Sequence, residues 1–294
     1  MRIKHTLLAL LATGFLSPAL AQNHRGCATM DHLHALQQQD PSVKSRLEQV
    51  ERESETWIQS QSSNQRTTIV ITIPVVVHVV YNTVSENVSD AQIQSQINIL
   101  NQDFRKLNTD INLVPAAFSG LAADCEIQFC LAQRDPSGNA TTGIVRRSST
   151  VTSFSTNDNM KFTSSGGSDA WPYTSYLNMW VCDLGSGLLG YATFPGTATS
   201  TDGVVIDYAA FGNIGSAAAP FNKGRTATHE IGHWLNLRHI WGDANCGNDQ
   251  VTDTPTQQTY NYGCPTFPKV TCSNGPNGDM FMNYMDYTDD ACMY

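Results

Sequence analysis

No block of lysine and arginine occurs anywhere in the 294 residues, and only 15% of them are charged. With 17 Lys and Arg against 26 Asp and Glu, the formal net charge is −9. That balance argues against nucleic acid or an anionic membrane as a partner. An apolar stretch of the ~20 residues needed to span a bilayer is missing as well. The apolar run Leu7 to Leu16 is too short. It follows the basic start Met1-Arg2-Ile3-Lys4-His5 and precedes the small-x-small site Ala19-Leu20-Ala21, so residues 1–21 read as a signal peptide. Internal repeats are absent, and no acidic spacing matches an EF-hand. What is present is a globular composition, 40% hydrophobic, in a chain long enough for one large domain and a smaller appendage. Export makes disulfides available to its eight cysteines.

Residues 22–66 are polar and rich in Gln, Ser and Glu, with weakly helical pieces at Asp31 to Gln39 and Pro41 to Gln59 before the loop Ser60 to Arg66. This suits a removable pro-segment on an exposed tether; an ordinary helical hairpin of the mature fold is the other reading. Residues 67–294 carry the patterning of an ordered domain. Thr67 to Tyr81 is β-branched and apolar, a buried strand with Pro74 at a break or bulge. Ser89 is placed to cap a helix bearing Ile93, Ile97, Leu100 and Phe104 on one stripe. Further strands are expected at Cys125 to Gln133, Leu177 to Asp183, Gly190 to Phe194 and Gly203 to Tyr208, with a turn at Asp135 to Asn139. A helix follows from about Arg225. After His239 the chain is dominated by Asp, Asn, Gly, Pro and Cys with little periodicity. The expected class is α+β: an upper part at about 67–238 over an irregular, cross-linked lower part at about 239–294.

The chemistry resides in His229-Glu230-Ile231-Gly232-His233-Trp234-Leu235-Asn236-Leu237-Arg238-His239. Residues four apart share a helix face, so His229 and His233 can offer nitrogens to one metal ion. His239 joins them only if the chain turns back sharply after the helix. Three nitrogen ligands and an open fourth position suit a catalytic zinc. Zinc lowers the pKa of its water from ~15.7 towards ~7, and Glu230 is placed to take the proton as that water attacks a carbonyl.

HEIGHWLNLRH resembles the H-E-x-x-H-x-x-G-x-x-H signature of metzincin metallopeptidases, with Asn236 where glycine is usual. Asparagine is among the residues that best tolerate the left-handed backbone required there. Asn283-Tyr284-Met285-Asp286-Tyr287 is similar to the metzincin turn whose methionine, here Met285, floors the histidines; Tyr287 falls where some members have a tyrosine that contacts the metal or the oxyanion. Together with VTDTP, FCLAQRDPSG and GLLGYATFPG, these motifs resemble the pappalysin family of metzincins, in particular its ulilysin-like secreted microbial members, from about residue 70 to the end. The resemblance implies a metzincin-like two-subdomain catalytic domain, with a mixed twisted sheet and active-site helix above the disulfide-linked lower half. Leu188 to Phe194 would be the edge strand that takes an extended peptide. It implies disulfides Cys246–Cys272 and Cys264–Cys292; Cys125, Cys130 and Cys182 remain, with room for one pair and one free thiol, and the sequence does not say which. Related zymogens use a pro-segment cysteine as a removable ligand, a role open to Cys27; a disulfide is the alternative. Among the acidic residues Asp243, Asp249, Asp253, Asp279, Asp286, Asp289 and Asp290, it points to a Ca²⁺ site at Asp249, Val251 (by its carbonyl), Asp253 and Thr254. A solvated acidic loop competes with that reading. Asp289 or Asp290 would favour a basic side chain in the specificity pocket.

The reading is a secreted zinc endopeptidase, monomeric and made as a latent precursor, that acts on proteins or peptides. Alternatives are a zinc hydrolase of a non-protein amide or ester, and a catalytically silent binding module. The chain stops two residues after Cys292, short of the C-terminal helix usual in metzincin lower halves, so either this is a piece of a longer protein or the lower half is short. Asn87-Val88-Ser89 and Asn139-Ala140-Thr141 are formal glycosylation sequons.

Overall fold

A computed structural model describes residues 24–61, 69–197 and 199–294. The expected signal peptide and the junction at residue 66 lie outside the described residues. The longest strand is β1 (Ile71–Tyr81), which pairs with three others and whose β-branched residues suit a strand buried on both faces. Its first half pairs in parallel with β2 (Ile127–Leu131) and its second half, on the same edge, with β3 (Ile144–Ser148). On the other edge it pairs with β4 (Leu177–Cys182), which pairs with β6 (Val204–Asp207). The antiparallel β5 (Gly190–Ala192) closes that side, so the sheet is mixed.

Two features differ from expectation. Pro74 sits in continuous register opposite Cys130, with no bulge. The Val75 carbonyl faces β2, accepting from the Ala132 N–H, so Pro74 faces β4, where pairing begins only at Val75. Its missing N–H is therefore not needed. The edge strand is three residues long rather than seven, since it pairs only with Val204, Val205 and Ile206 of the short β6, which passes directly into a 3₁₀ turn at Tyr208–Ala210.

Alternation of β1 splits the core. Val75, Val77 and Val79 pack against α3 (Asp90–Phe104) through Ile93, Ile97, Leu100 and Phe104, and against α4 (Arg225–Trp234) through Ala227 and Ile231. Val80 turns to the other face with Trp180, Tyr191, Val205, Phe154 and Met160. The Ser89 hydroxyl accepts the Gln92 N–H at 3.2 Å and starts α3. Arg225, in the first turn of α4, ion-pairs with Asp103 of α3 and with Asp110, which fixes the helix against its neighbour. Ahead of the sheet, α1 (Thr29–Gln39) and α2 (Ser42–Gln61) cover Phe194 with Leu33 and Val43.

Beyond α4 the described chain has no strand and only a short 3₁₀ turn at Asp290–Cys292. Cys246–Cys272 and Cys264–Cys292 cross-link it, in the pairing the resemblance implies. Closing loops of this size in the unfolded chain is worth ~3 kcal/mol each. Cys125, Cys130 and Cys182 are all free, so no pair forms among them: Cys182 is buried at the end of β4 and the other two are exposed. Cys27 is free as well. Buried Asp286 organises the lower half, accepting from the Asn261 N–H at 2.7 Å, Gln257 Nε2 at 2.9 Å and the Tyr287 N–H at 2.7 Å.

The helix ends as the sequence requires. Asn236 takes φ +76°, its N–H donates to the His233 carbonyl at 2.9 Å, and the Leu237 N–H donates to Gly232 at 2.9 Å. This reversal is a Schellman cap. Asn236→Gly is expected to leave the melting temperature unchanged or raise it. Asn236→Ala should lower stability by about 1 kcal/mol, or ~2–4 °C, in a thermal melt.

Candidate metal centre and its cleft

α4 places His229 and His233 one turn apart, and the reversal at Asn236 brings His239 back to them. The Nε2 atoms of His229 and His239 lie 3.2 Å and 3.1 Å from that of His233. Each ring is oriented from behind: Nδ1 of His229 donates to the Tyr284 carbonyl at 2.6 Å, that of His233 to the Leu237 carbonyl at 2.7 Å, and that of His239 to the Asp243 carboxylate at 2.6 Å. These acceptors put the ring proton on Nδ1, leaving three unprotonated Nε2 lone pairs facing one another. Burial also drives His229 and His233 well below the usual imidazole range, so charging them does not relieve the contact. Only a cation does. Tetrahedral zinc with bonds of ~2.0–2.1 Å needs nitrogens about 3.3–3.4 Å apart, close to the spacing here. Cys27 Sγ completes the group, the four ligand atoms lying within 4.8 Å of one another.

Glu230 points into the same space. Its Oε2 accepts the Thr29 hydroxyl at 2.9 Å and lies 3.5 Å from Cys27 Sγ. Burial raises its carboxyl to about 8 against the hydrogen bonds from Thr29 and Cys27. The Tyr287 hydroxyl donates to the Cys27 carbonyl at 3.2 Å, and burial raises that phenol well above its usual value. Met285 lies beneath α4 at Gly232, where an added Cβ would come within 2.4 Å of its Sδ. Gly190 plays the same part above: a Cβ there would meet Glu230 Cγ at 2.9 Å.

The N-terminal segment fills this cleft. Cys27 forms a parallel bridge with Gly190. The Leu189 N–H donates to the Gly26 carbonyl at 2.9 Å and the Ala28 N–H to the Gly190 carbonyl at 3.2 Å. Arg25 is buried, its guanidinium bonded to Asp290 at 2.5 Å, Thr226 Oγ1 at 3.0 Å and the Thr288 carbonyl at 3.2 Å, over the ring of Phe221. His32 anchors α1 on Asp158 at 2.9 Å. Burial opposes ionisation of Asp158, but the bond from His32 and the charge of Lys161 hold it at about 2.

Sequence reasoning missed Thr29, Gly232, Gly190 and the partners of Arg25. The first three are legible only once the fold sets them against Glu230 and Met285. The acidic residues of the lower half do not form one cluster. Asp243 serves His239, Asp279 accepts from Thr271 and Asn274, Asp286 organises loops, and Asp290 holds Arg25. Thr254 Oγ1 lies 2.8 Å from the Asp249 carboxylate and 2.9 Å from the Val251 carbonyl, with Asp253 exposed nearby.

A buried three-histidine centre with an adjoining carboxylate, set between a sheet edge and an irregular lower half, defines a metallohydrolase of the metzincin type. The profile of peptidase family M43, described as pregnancy-associated plasma protein-A, matches residues 163–294. An extracellular metalloprotease of Pyricularia oryzae is 34% identical over 234 residues, covering 76% of this chain and 69% of its own. A point variant of promirolysin from Tannerella forsythia is 51% identical with a TM-score of 0.83, covering 92% of this chain and 89% of that one. Mature mirolysin from the same organism, in complex with a cleaved peptide, is 57% identical with a TM-score of 0.75, covering 78% and 87%. The chain therefore belongs to the M43, or pappalysin, family. It is a secreted metallopeptidase made as a precursor.

Gly232→Ala is expected to push Met285 from beneath the histidines. Overpacking should cost ~1–3 kcal/mol in a thermal melt, and metal affinity, followed by titration with a chromophoric chelator, should fall with it. Shortening Met285 in the same chain should restore both.

Proposed function

We propose that the protein is a zinc endopeptidase that cleaves beside arginine, held latent by a pro-segment spanning residues 22–66. The observation that carries this reading is the set of three lone pairs converging with their protons committed elsewhere. His229, His233 and His239 would hold zinc, and Cys27 Sγ would take the fourth position in the latent form. Bound there, zinc supplies Lewis acidity and a water that ionises near neutral pH. Once Thr29 has left, Glu230 is free to accept a proton from the attacking water and pass it to the departing amine. Tyr287, now hydrogen-bonded to a peptide carbonyl, is placed to donate to the oxyanion as it forms, worth about 3 kcal/mol for one such donor. The substrate adds to β5 through the backbone groups that now serve Gly26 and Ala28. The pocket of Asp290, Thr226 and Phe221 takes an arginine in place of Arg25, since a planar guanidinium meets a buried carboxylate there. Support for Ca²⁺ at Asp249, Val251, Asp253 and Thr254 is that the Thr254 hydroxyl, the Asp249 carboxylate and the Val251 carbonyl already converge, with burial raising Asp249, so a cation would join these oxygens in place of the hydrogen bonds between them.

Two variants test the roles. Processed Glu230→Gln is expected to keep stoichiometric zinc by elemental analysis while kcat falls by at least ~10²–10⁴-fold. A normal rate would remove Glu230 from the reaction. Cys27→Ala precursor should show measurable peptide cleavage before processing, where the native precursor shows none; full latency would assign the block to the remaining contacts. Digestion of a peptide library with and without chelator, read by mass spectrometry, checks both the metal dependence and the arginine.

A further inference from the structure

Outward from Arg25, the segment makes one more contact with the cleft wall. The His24 imidazole stacks on Tyr262, with centroids 4.1 Å apart and planes 26° from parallel. Even with His24 on it, Tyr262 stays 36% accessible, so the ring face is open to whatever takes the place of His24. It ends an aromatic series that reaches the metal centre: Tyr260 lies 4.6 Å from it, and Tyr287 stacks on Tyr260 at 5.6 Å and 19°. Asp289 stands beside the same spot. Burial raises its carboxyl, while the charges of Arg25 and His24 pull it back.

The wall is also fixed in place. The Asp289 N–H donates to the Gly263 carbonyl at 3.0 Å, and the Cys264–Cys292 disulfide joins the strip after Tyr262 to the turn after Asp290. The backbone positions that carry the Tyr262 ring and the Asp289 carboxylate are therefore tied to each other before any peptide arrives, which lowers the cost of ordering them on binding.

We propose that Tyr262 and Asp289 form a recognition subsite for a planar cationic side chain, one position farther from the scissile bond than the arginine held by Asp290. The proposal rests on the reading of Arg25 as the occupant of a substrate pocket. Distance from the metal sets the order: Cys27 is at the centre, Arg25 two residues out and His24 one beyond. A guanidinium lies flat on an aromatic face and keeps its edge for a carboxylate, which a lysine ammonium cannot do. Arginine should therefore be preferred over lysine, and both over alanine.

The test uses the processed enzyme and a peptide series with arginine fixed at the Asp290 pocket and Arg, Lys, His or Ala at the next position outward. At an exposed cation–π site the kcat/KM for Arg should exceed that for Ala by about two- to fivefold. Tyr262→Ala and Asp289→Asn should each flatten that ratio, and Tyr262→Phe, which keeps the ring, should preserve it. In all three variants the preference for arginine over alanine at the Asp290 pocket should persist, which also shows that the cleft is folded. A flat ratio in the native enzyme with the arginine preference intact, or a ratio unchanged by Tyr262→Ala, would overturn the subsite. Loss of the arginine preference in the native enzyme would instead overturn the reading on which it stands.

Discussion

The structure turns on three hydrogen bonds that point away from the centre they serve. With Nδ1 of His229, His233 and His239 donating to the Tyr284 carbonyl, the Leu237 carbonyl and Asp243, the Nε2 atoms are left with lone pairs and no proton to share. Three such nitrogens, buried and about 3 Å apart, repel one another unless a cation joins them. The surrounding elements supply what that arrangement needs. Leu237 can reach His233 only because Asn236 reverses the chain, and Tyr284 can reach His229 only because the turn bearing Met285 lies directly beneath. Asp243 itself takes φ +53°, another left-handed turn close behind His239.

The cleft facing this centre is shaped on three sides by separate parts of the chain. β5 provides backbone groups, Asp290 a buried charge, and Tyr287 a hydroxyl. Asp290 and Tyr287 stand three residues apart on one loop, and β5 lies far upstream of both. The lower half that carries two of them has little regular structure, and its geometry rests on two disulfides and the hydrogen bonds of Asp286. A loop-rich wall can still be a precise one when cross-links and a buried carboxylate replace the ladder of a sheet.

The legible part of this architecture is the part encoded by short-range spacing. His229, Glu230 and His233 are one helical turn, and Asn236 is a residue that accepts the angle glycine would take, so the centre could be read from eleven consecutive residues. Ser89 with Ile93, Ile97, Leu100 and Phe104 likewise announces α3. β3 was not legible: its sequence IVRRS offers two apolar residues and three exposed ones, and it exists because β1 has a free half-edge beyond β2. Arg25 was equally silent, since its partner Asp290 lies 265 residues away. The acidic residues of the lower half misled as a group because composition cannot distinguish an orienting carboxylate such as Asp243 from one that organises loops, such as Asp286.

Latency in the proposed reading follows from how few residues block so much. Between Arg25 and Thr29, five consecutive positions fill the arginine pocket, bond the sheet edge, take the fourth ligand position and occupy the base. Each contact is individually modest, and Cys27 alone would exchange with water. What makes them hold is covalent connection: His32 on Asp158 and the packing of Leu33 and Val43 on Phe194 keep the blocking strip at a high effective concentration over the cleft. Cutting the chain between this segment and β1 changes none of these contacts, yet it turns an intramolecular equilibrium into a bimolecular one. Release of the strip then frees Glu230, the sheet edge and the ligand position together, because one short segment makes all of these contacts.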